Sequence, residues 1–265
     1  MHFTKMQGCG NDYIYIDGAR ERIAPGERAA LARRLSDRHF GIGGDGVIFI
    51  NPVSDPAVDF EMEMYNADGS RGEMCGNGIR CVGAYVYTRG LTDKKELTIV
   101  SAGAEKYLTL ETEGRAVKSV TVDMGTPILA PEEIPVDSEK LTSGVFVVGG
   151  MTVADFAGDG RSRGGESEPD VSYRTACLSM GNPHAVVVLP EGTVLSTFPV
   201  RPVGSWFETH PAFPNRINTE FVHVDDRRSV HMRVWERGTG ETLACGTGCC
   251  AVTVACALQG VTEDA

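Results

Sequence analysis

One short pattern occurs twice in the chain, as Met74-Cys75-Gly76-Asn77-Gly78-Ile79-Arg80-Cys81 and as Ala244-Cys245-Gly246-Thr247-Gly248-Cys249-Cys250. A single copy would say little, because cysteine is among the most often buried residues and glycine pairs mark ordinary turns. Duplication changes its weight. Aligning Cys75 on Cys245 puts Gly76 on Gly246, Gly78 on Gly248 and Val82 on Val252, and further upstream Met62 on Met232, Tyr65 on Trp235 and Asn66 on Glu236. Gly10-Asn11 precedes the first cysteine by nearly the same interval as Gly181-Asn182 precedes the second. A repeat of this length is far beyond a solenoid unit and reads as two similar domains.

In each copy a cysteine is followed by Gly-x-Gly and an apolar run, so a helix beginning there would carry the sulfur at its positive end, where thiols become reactive. Two glycines keep side-chain bulk low and leave backbone N–H groups able to turn toward an anion. Two equivalent cysteines in a pseudo-twofold pair are then expected to face each other across a cleft between the domains.

The 265 residues are enough for two medium domains, and 42% hydrophobic with 23% charged residues is ordinary for a globular chain. A net charge of −11 argues against a nucleic-acid partner. The opening Met1-His2-Phe3-Thr4-Lys5-Met6-Gln7-Gly8 lacks the apolar core of a signal peptide, and no run approaches a membrane span, so a soluble, cytoplasmic protein with no membrane partner is expected. Eight cysteines in that setting read as thiols and not as a disulfide framework. Cys245, Cys249 and Cys250 lack the paired ligand spacing of a tetrahedral zinc site, and no metal is expected.

Along the chain, strands are expected from Phe3 to Gly8, over Tyr13–Ile16 and over Val47–Ile50, with a surface helix from Pro25 to Asp37. Gly41-Ile42-Gly43-Gly44 leads into a strand and does not open a helix, so it is not a dinucleotide loop. Val58–Tyr65 alternates acidic and apolar residues, which predicts a strand with one buried face. A largely buried helix follows Cys75, then strands at 97–100, 106–110 and 117–122. A domain boundary is placed at the Pro-containing stretch after residue 125, giving domains 1–125 and 126–265. Residues 158–170 read as a surface excursion without chemistry. The second half repeats the plan with a strand over Ala185–Leu189, an irregular Pro-rich stretch, and strands over Glu220–Val224 and Val230–Trp235. Only 20 residues follow Cys245, against about 50 residues and three strands after Cys75, so the second domain is expected to be shortened or closed differently.

Six segments, Gly8-Cys9-Gly10-Asn11-Asp12-Tyr13, Asn66-Ala67-Asp68-Gly69-Ser70, Met74 to Cys81, Met180-Gly181-Asn182-Pro183-His184, Glu236-Arg237-Gly238 and Glu241 to Gly248, resemble the diaminopimelate epimerases. These are cofactor-independent amino-acid epimerases of lysine and peptidoglycan-precursor synthesis. The resemblance implies an α+β fold of two similar domains, each a curled β-barrel around a central helix, with the active site between them. It implies Cys75 and Cys245 as the acid–base pair, with His184 and Glu236 as supporting polar residues. Asn11, Asn66, Gly76, Asn77, Asn182, Asn218, Glu236, Arg237, Gly246 and Thr247 match the family's substrate contacts. Gly46 stands where some members carry a substrate-touching glutamine. No cofactor, a small amino-acid substrate and a homodimer are further expectations from the family.

The chemistry agrees with that reading. Inverting an α-carbon requires a base on one face and an acid on the other, which a thiolate and a thiol supply. A free thiol of pKa about 8.5 is only slightly ionised at neutral pH, and a helix terminus worth about 0.3–1 kcal/mol shifts it by less than about one unit. Backbone N–H groups at Gly76, Asn77, Gly246 and Thr247 holding the substrate carboxylate, together with exclusion of water, would have to supply the rest. Two rivals stand beside it. One is a proline racemase or hydroxyproline epimerase of the same architecture, disfavoured by Asn11-Asp12-Tyr13 and Glu236-Arg237-Gly238. The other is a catalytically silent metabolite-binding or thiol-redox module.

Overall fold

The computed structural model describes residues 1–72, 74–141, 145–148, 150–157 and 172–263. The excursion expected at 158–170 lies outside the described residues. The chain divides into two compact units, Met1–Gly125 and Thr126–Ala265.

The first unit is one seven-stranded mixed sheet whose strands lie in chain order: β1 (Thr4–Gly8), β2 (Asn11–Asp17), β3 (Gly46–Asn51), β4 (Phe60–Asn66), β5 (Glu96–Ser101), β6 (Ala104–Glu113) and β7 (Ala116–Asp123). Two parallel pairings interrupt the antiparallel order, and each is spanned by a helix. Helix α1 (Pro25–Ser36) connects β2 to β3, and α2 (Gly76–Thr88) connects β4 to β5. Such a crossover is the only short way to bring two successive strands parallel. Because α1 and α2 cover opposite faces, the central strands are buried on both sides. Ile14, Ile16, Val47 and Phe49 pack with Ala32 and Leu35 of α1, while Tyr15, Ile48 and Ile50 pack with Ile79, Val82 and Val86 of α2. Each such side chain contributes about 1.5–3 kcal/mol by leaving water. Helix α2 touches β1 and β2 at one edge and β6 and β7 at the other, so the sheet curls around it.

Strand β4 departs from the one-faced burial that its alternation predicts. Glu63 is buried, and it accepts hydrogen bonds from Arg28, Arg71, Tyr65 and Asn51. Burial would raise its carboxyl, but these donors outweigh that and hold it below the usual range. An acid in an alternating strand is thus turned inward because α1 brings a cation to meet it.

Among the described residues the second unit also carries seven strands, β8 (Val145–Val148), β9 (Met151–Ala157), β10 (Ser172–Ser179), β11 (Pro183–Val188), β12 (Asn218–Asp226), β13 (Ser229–Glu236) and β14 (Gly240–Thr242). Strands β10 to β13 repeat the antiparallel, parallel, antiparallel pairing of β1 to β4. The remaining strands attach differently: β8 and β9 extend the β10 edge, whereas β5 to β7 extend the β4 edge. The parallel β11–β12 pair is spanned by α3 (Val200–Glu208), where the sequence pattern predicts an irregular stretch. Pro199 precedes that helix and Pro202 lies in its first turn, where a missing N–H costs no intrahelical bond. Phe207 of α3 packs on Ala185, Val187 and Phe221. Helix α4 (Gly246–Leu258) covers the other face, against β10, β11 and β12. Among the described residues no helix is long and apolar enough to cross a membrane.

Candidate active site

Each unit places one of the duplicated cysteines at the cap of its inner helix. Cys75 is the N-cap of α2 and Cys245 the N-cap of α4, both with extended backbone. The sulfur takes the role that a serine or aspartate oxygen usually fills. Gly78 N–H donates to Cys75 Sγ at 3.3 Å, and Gly248 N–H donates to Cys245 Sγ at 3.4 Å. The first intrahelical bonds run from Ile79 and Cys249 to the two cysteine carbonyls, so the N–H groups of residues 76, 77, 246 and 247 precede the helical ladder. Both sulfurs therefore sit where the helix presents positive charge.

Bulk is excluded at both places. A Cβ on Gly78 would lie 2.8 Å from Ile48 Cδ1, and one on Gly248 would lie 2.6 Å from Glu220 Oε1. The second glycine of each pattern faces a side chain of the strand beneath it, the tip of Ile48 on β3 in one unit and the Glu220 carboxylate on β12 in the other.

The asparagines expected at the site hold these helix ends. Asn11, after Gly10 at φ +92°, opens β2, and its Oδ1 accepts from Asn77 Nδ2 at 2.6 Å. Asn77 Oδ1 in turn accepts from Arg80 at 2.6 Å. Asn182, after Gly181 at φ +90°, precedes β11, and its Nδ2 donates to Thr247 Oγ1 at 3.2 Å. The asparagine before each inner strand is thus tied to the second residue of the inner helix. Asn66 ends β4 and donates to Ser70 Oγ at 2.9 Å. Asn218 is buried and bonded to backbone: its Oδ1 accepts Arg237 N–H at 2.9 Å, and its Nδ2 donates to the Pro183 carbonyl at 3.1 Å. Arg237 donates to the Asn215 carbonyl at 3.1 Å. Glu236 accepts from the Thr242 hydroxyl. Gly76 and Gly246 are the first residues of their helices.

Gly46 has no room for a side chain, so the glutamine contact that the resemblance raises at this position is not made here. A Cβ there would lie 2.1 Å from the Tyr65 carbonyl oxygen. Its neighbour across β2–β3 is Tyr13, just as His184 is the neighbour of Asn218 across β11–β12.

His184 has a carboxylate partner that the motifs do not reveal. Its Nδ1 lies 2.8 Å from Glu220 Oε1, and both side chains are fully buried, whereas Glu236 is engaged with Thr242. The available signal was an acid placed directly before the apolar pair Phe221-Val222 in Asn218-Thr219-Glu220-Phe221-Val222.

Electrostatics around Cys245 oppose its ionisation. Burial pushes the thiol well up, and the Glu236 and Glu220 carboxylates push it further, against hydrogen bonds from Thr247 and the Gly248 N–H. Glu236 is also raised, first by burial and then by Glu220.

The family model for diaminopimelate epimerase matches residues 3–130 and 176–265. The chain belongs to the diaminopimelate epimerase family. A diaminopimelate epimerase of Acetivibrio thermocellus is 47% identical over 264 residues, covering 99% of this chain and 85% of that protein. Another, from Desulfovibrio desulfuricans, is 48% identical over 265 residues, covering 98% and 84%. Among solved structures, a hydroxyproline epimerase from Agrobacterium vitis aligns with TM-score 0.65 at 14% identity, over 98% of this chain and 78% of that one. A probable proline racemase from Agrobacterium radiobacter aligns with TM-score 0.67 at 13% identity, over 99% and 78%. At such identities the two structures speak for the fold alone.

Proposed function

We propose that this chain converts LL-2,6-diaminopimelate to meso-diaminopimelate by exchanging the α-proton between two cysteines, without a cofactor. The observation that carries this reading is the repeated geometry of Cys75 and Cys245, each capping an inner helix with its sulfur on the third N–H. One such thiol could serve any nucleophilic or redox reaction. Two in equivalent settings match a reaction that needs an acid and a base exchanging roles.

Cys245, pushed up by burial and then by the Glu236 and Glu220 charges, is the member that holds the proton at rest. Cys75 then takes the α-proton from a substrate presented to it, and Cys245 delivers its own to the opposite face. In the reverse direction the roles exchange. As the α-carbon loses its proton, negative charge spreads into the substrate carboxylate, and the N–H groups of residues 76, 77, 246 and 247, which precede the helical ladder, are placed at the helix ends to hold it. Arg237 is the side chain best suited to a second carboxylate, since a guanidinium can bind it with two parallel bonds. We place the reaction in the cytoplasm, because thiols that must stay reduced are stable there.

Following the α-proton by NMR in deuterated water tests the reading. Formation of the meso isomer with deuterium at the inverted carbon is expected. Absence of both exchange and inversion with LL-diaminopimelate would sink it, and activity on proline instead would move the chain to the racemase branch.

A further inference from the structure

Behind Cys245 runs a chain of hydrogen bonds that ends on a buried carboxylate. Glu220 Oε1 lies 2.8 Å from His184 Nδ1, and His184 Nε2 lies 3.0 Å from Asn182 Oδ1. Asn182 Nδ2 donates to Thr247 Oγ1 at 3.2 Å, and Thr247 Oγ1 lies 3.3 Å from Cys245 Sγ. Glu220 and His184 are both fully buried, and Glu220 Oε2 has no hydrogen-bond partner.

The donors along this chain are fixed by one another. An amide oxygen only accepts, so His184 Nε2 carries a hydrogen whenever it faces Asn182 Oδ1. With the amide in that orientation, its nitrogen donates to the Thr247 oxygen, and the hydroxyl hydrogen of Thr247 is left to point at the sulfur. Turning the amide over reverses every link: Nε2 becomes the acceptor, Thr247 donates to Asn182, and the sulfur loses its donor. A buried carboxylate is stable only when its charge is met. Glu220 meets part of that requirement in its 2.8 Å bond to His184 Nδ1.

We propose that Glu220 is a positioning residue of the reaction: through His184 and Asn182 it keeps the Thr247 hydroxyl hydrogen aimed at the Cys245 sulfur, a hydrogen bond that offsets part of the opposition to the thiolate form that the reverse half-reaction requires. The charged groups facing this thiol are Glu236 and Glu220, with His184 between Glu220 and the relay. The proposal rests on the epimerase function proposed for the chain.

Its test uses Glu220→Gln and Thr247→Val in the full chain, singly and together, with LL-diaminopimelate as substrate. As a positioning residue, Glu220 should lower kcat by about 10- to 100-fold on substitution, the range seen for outer partners of functional groups. KM should stay within about threefold, because no substrate contact is removed. The pH at which activity rises should move up in Thr247→Val, where the sulfur loses its donor, and should not move up on the same substitution in the Glu220→Gln background, where the relay is already cut. In the Thr247→Val background the Glu220 substitution should add nothing further, since the last link is already cut. The absence of an upward shift in Thr247→Val, or additive effects, overturns the proposal. Should Glu220→Gln not fold, nitrogen NMR of labelled histidines in the wild-type chain decides: a hydrogen on His184 Nε2 is required, and its absence overturns the relay. An inactive wild-type chain would instead fail the functional reading itself.

Discussion

The two units share a backbone plan and differ in the side chains beneath their sulfurs. Strands β2 to β4 and β11 to β13 pair alike, and both inner helices begin at a cysteine whose sulfur accepts the third N–H. Under the first helix end lies Ile48; under the second, Glu220. Tyr13 stands opposite Gly46 in the first sheet, and His184 stands opposite Asn218 in the second. Asn66 ends β4, and the charged Glu236 ends β13. Duplication has kept what places a thiol at a helix end, while the neighbours that set its proton affinity have diverged. That division suits a reaction whose two proton carriers must occupy equivalent places but opposite protonation states.

The sharpest way to break the comparison is to remove the sulfurs. Cys75→Ala and Cys245→Ala should each lower turnover by more than about a thousandfold, at the upper range for loss of a general acid or base. Equal losses mean that neither thiol is dispensable. A variant retaining more than a tenth of wild-type epimerisation would reduce its cysteine to a structural cap.

The glycines test the floor of each half. Gly248→Ala pushes a methyl against Glu220 Oε1, which is locked to His184, whereas Gly78→Ala meets the movable tip of Ile48. A methyl tip gives way at low cost and a hydrogen-bonded buried carboxylate does not. We expect Gly248→Ala to cost about 2 kcal/mol more in kcat/KM than Gly78→Ala, in line with disruption of a buried polar pair. Equal costs would mean that Glu220 is as free to move as Ile48.

Charge at the cysteine is a smaller lever. Glu236 raises the Cys245 thiol, so Glu236→Gln should move the ionisation of Cys245 to lower pH, measured by the pH dependence of its alkylation. The same substitution slows turnover if Glu236 also holds substrate. An upward move would contradict the assignment of Glu236 as a repelling neighbour.

Much of this architecture was legible in the sequence because apolar periodicity and glycine bends mark strands and helix starts directly. The duplicated Cys-Gly-x-Gly located both helix caps, and Asn11 and Asn182 announced themselves by following Gly10 and Gly181. What escaped was decided by tertiary contact. Glu63 and Glu220 look like surface acids of their strands, and only the folded neighbours, Arg28 for one and His184 for the other, make them interior residues. Helix α3 escaped because two prolines lie at its start and its identity is fixed by Phe207, Gly204 and Trp235 packing together. The excess of strands after Cys75 was visible, but not that β8 and β9 would attach to the opposite edge of the second sheet.

The smallest difference between the halves concerns acid. Asp12 follows Asn11 in β2, where the second unit has Pro183 after Asn182. Burial alone would raise the Asp12 carboxyl, but Arg38 and Lys5 outweigh it and bring it down to about 2. A carboxyl held below its unfolded value adds stability that is present above about pH 4 and is lost as pH falls through about 2. Arg38 is 55% exposed and Lys5 39%, so solvent screening leaves about 1–2 kcal/mol of that contribution. The strand opening at Asn11 should therefore loosen in acid, read as faster amide exchange at residues 11–17 between pH 4 and pH 2. Asp12→Asn should remove that pH dependence and leave exchange in β11 untouched. If exchange in β2 follows β11 at every pH, the Arg38 and Lys5 pairs are ornaments of an exposed surface, and the two halves meet acid alike.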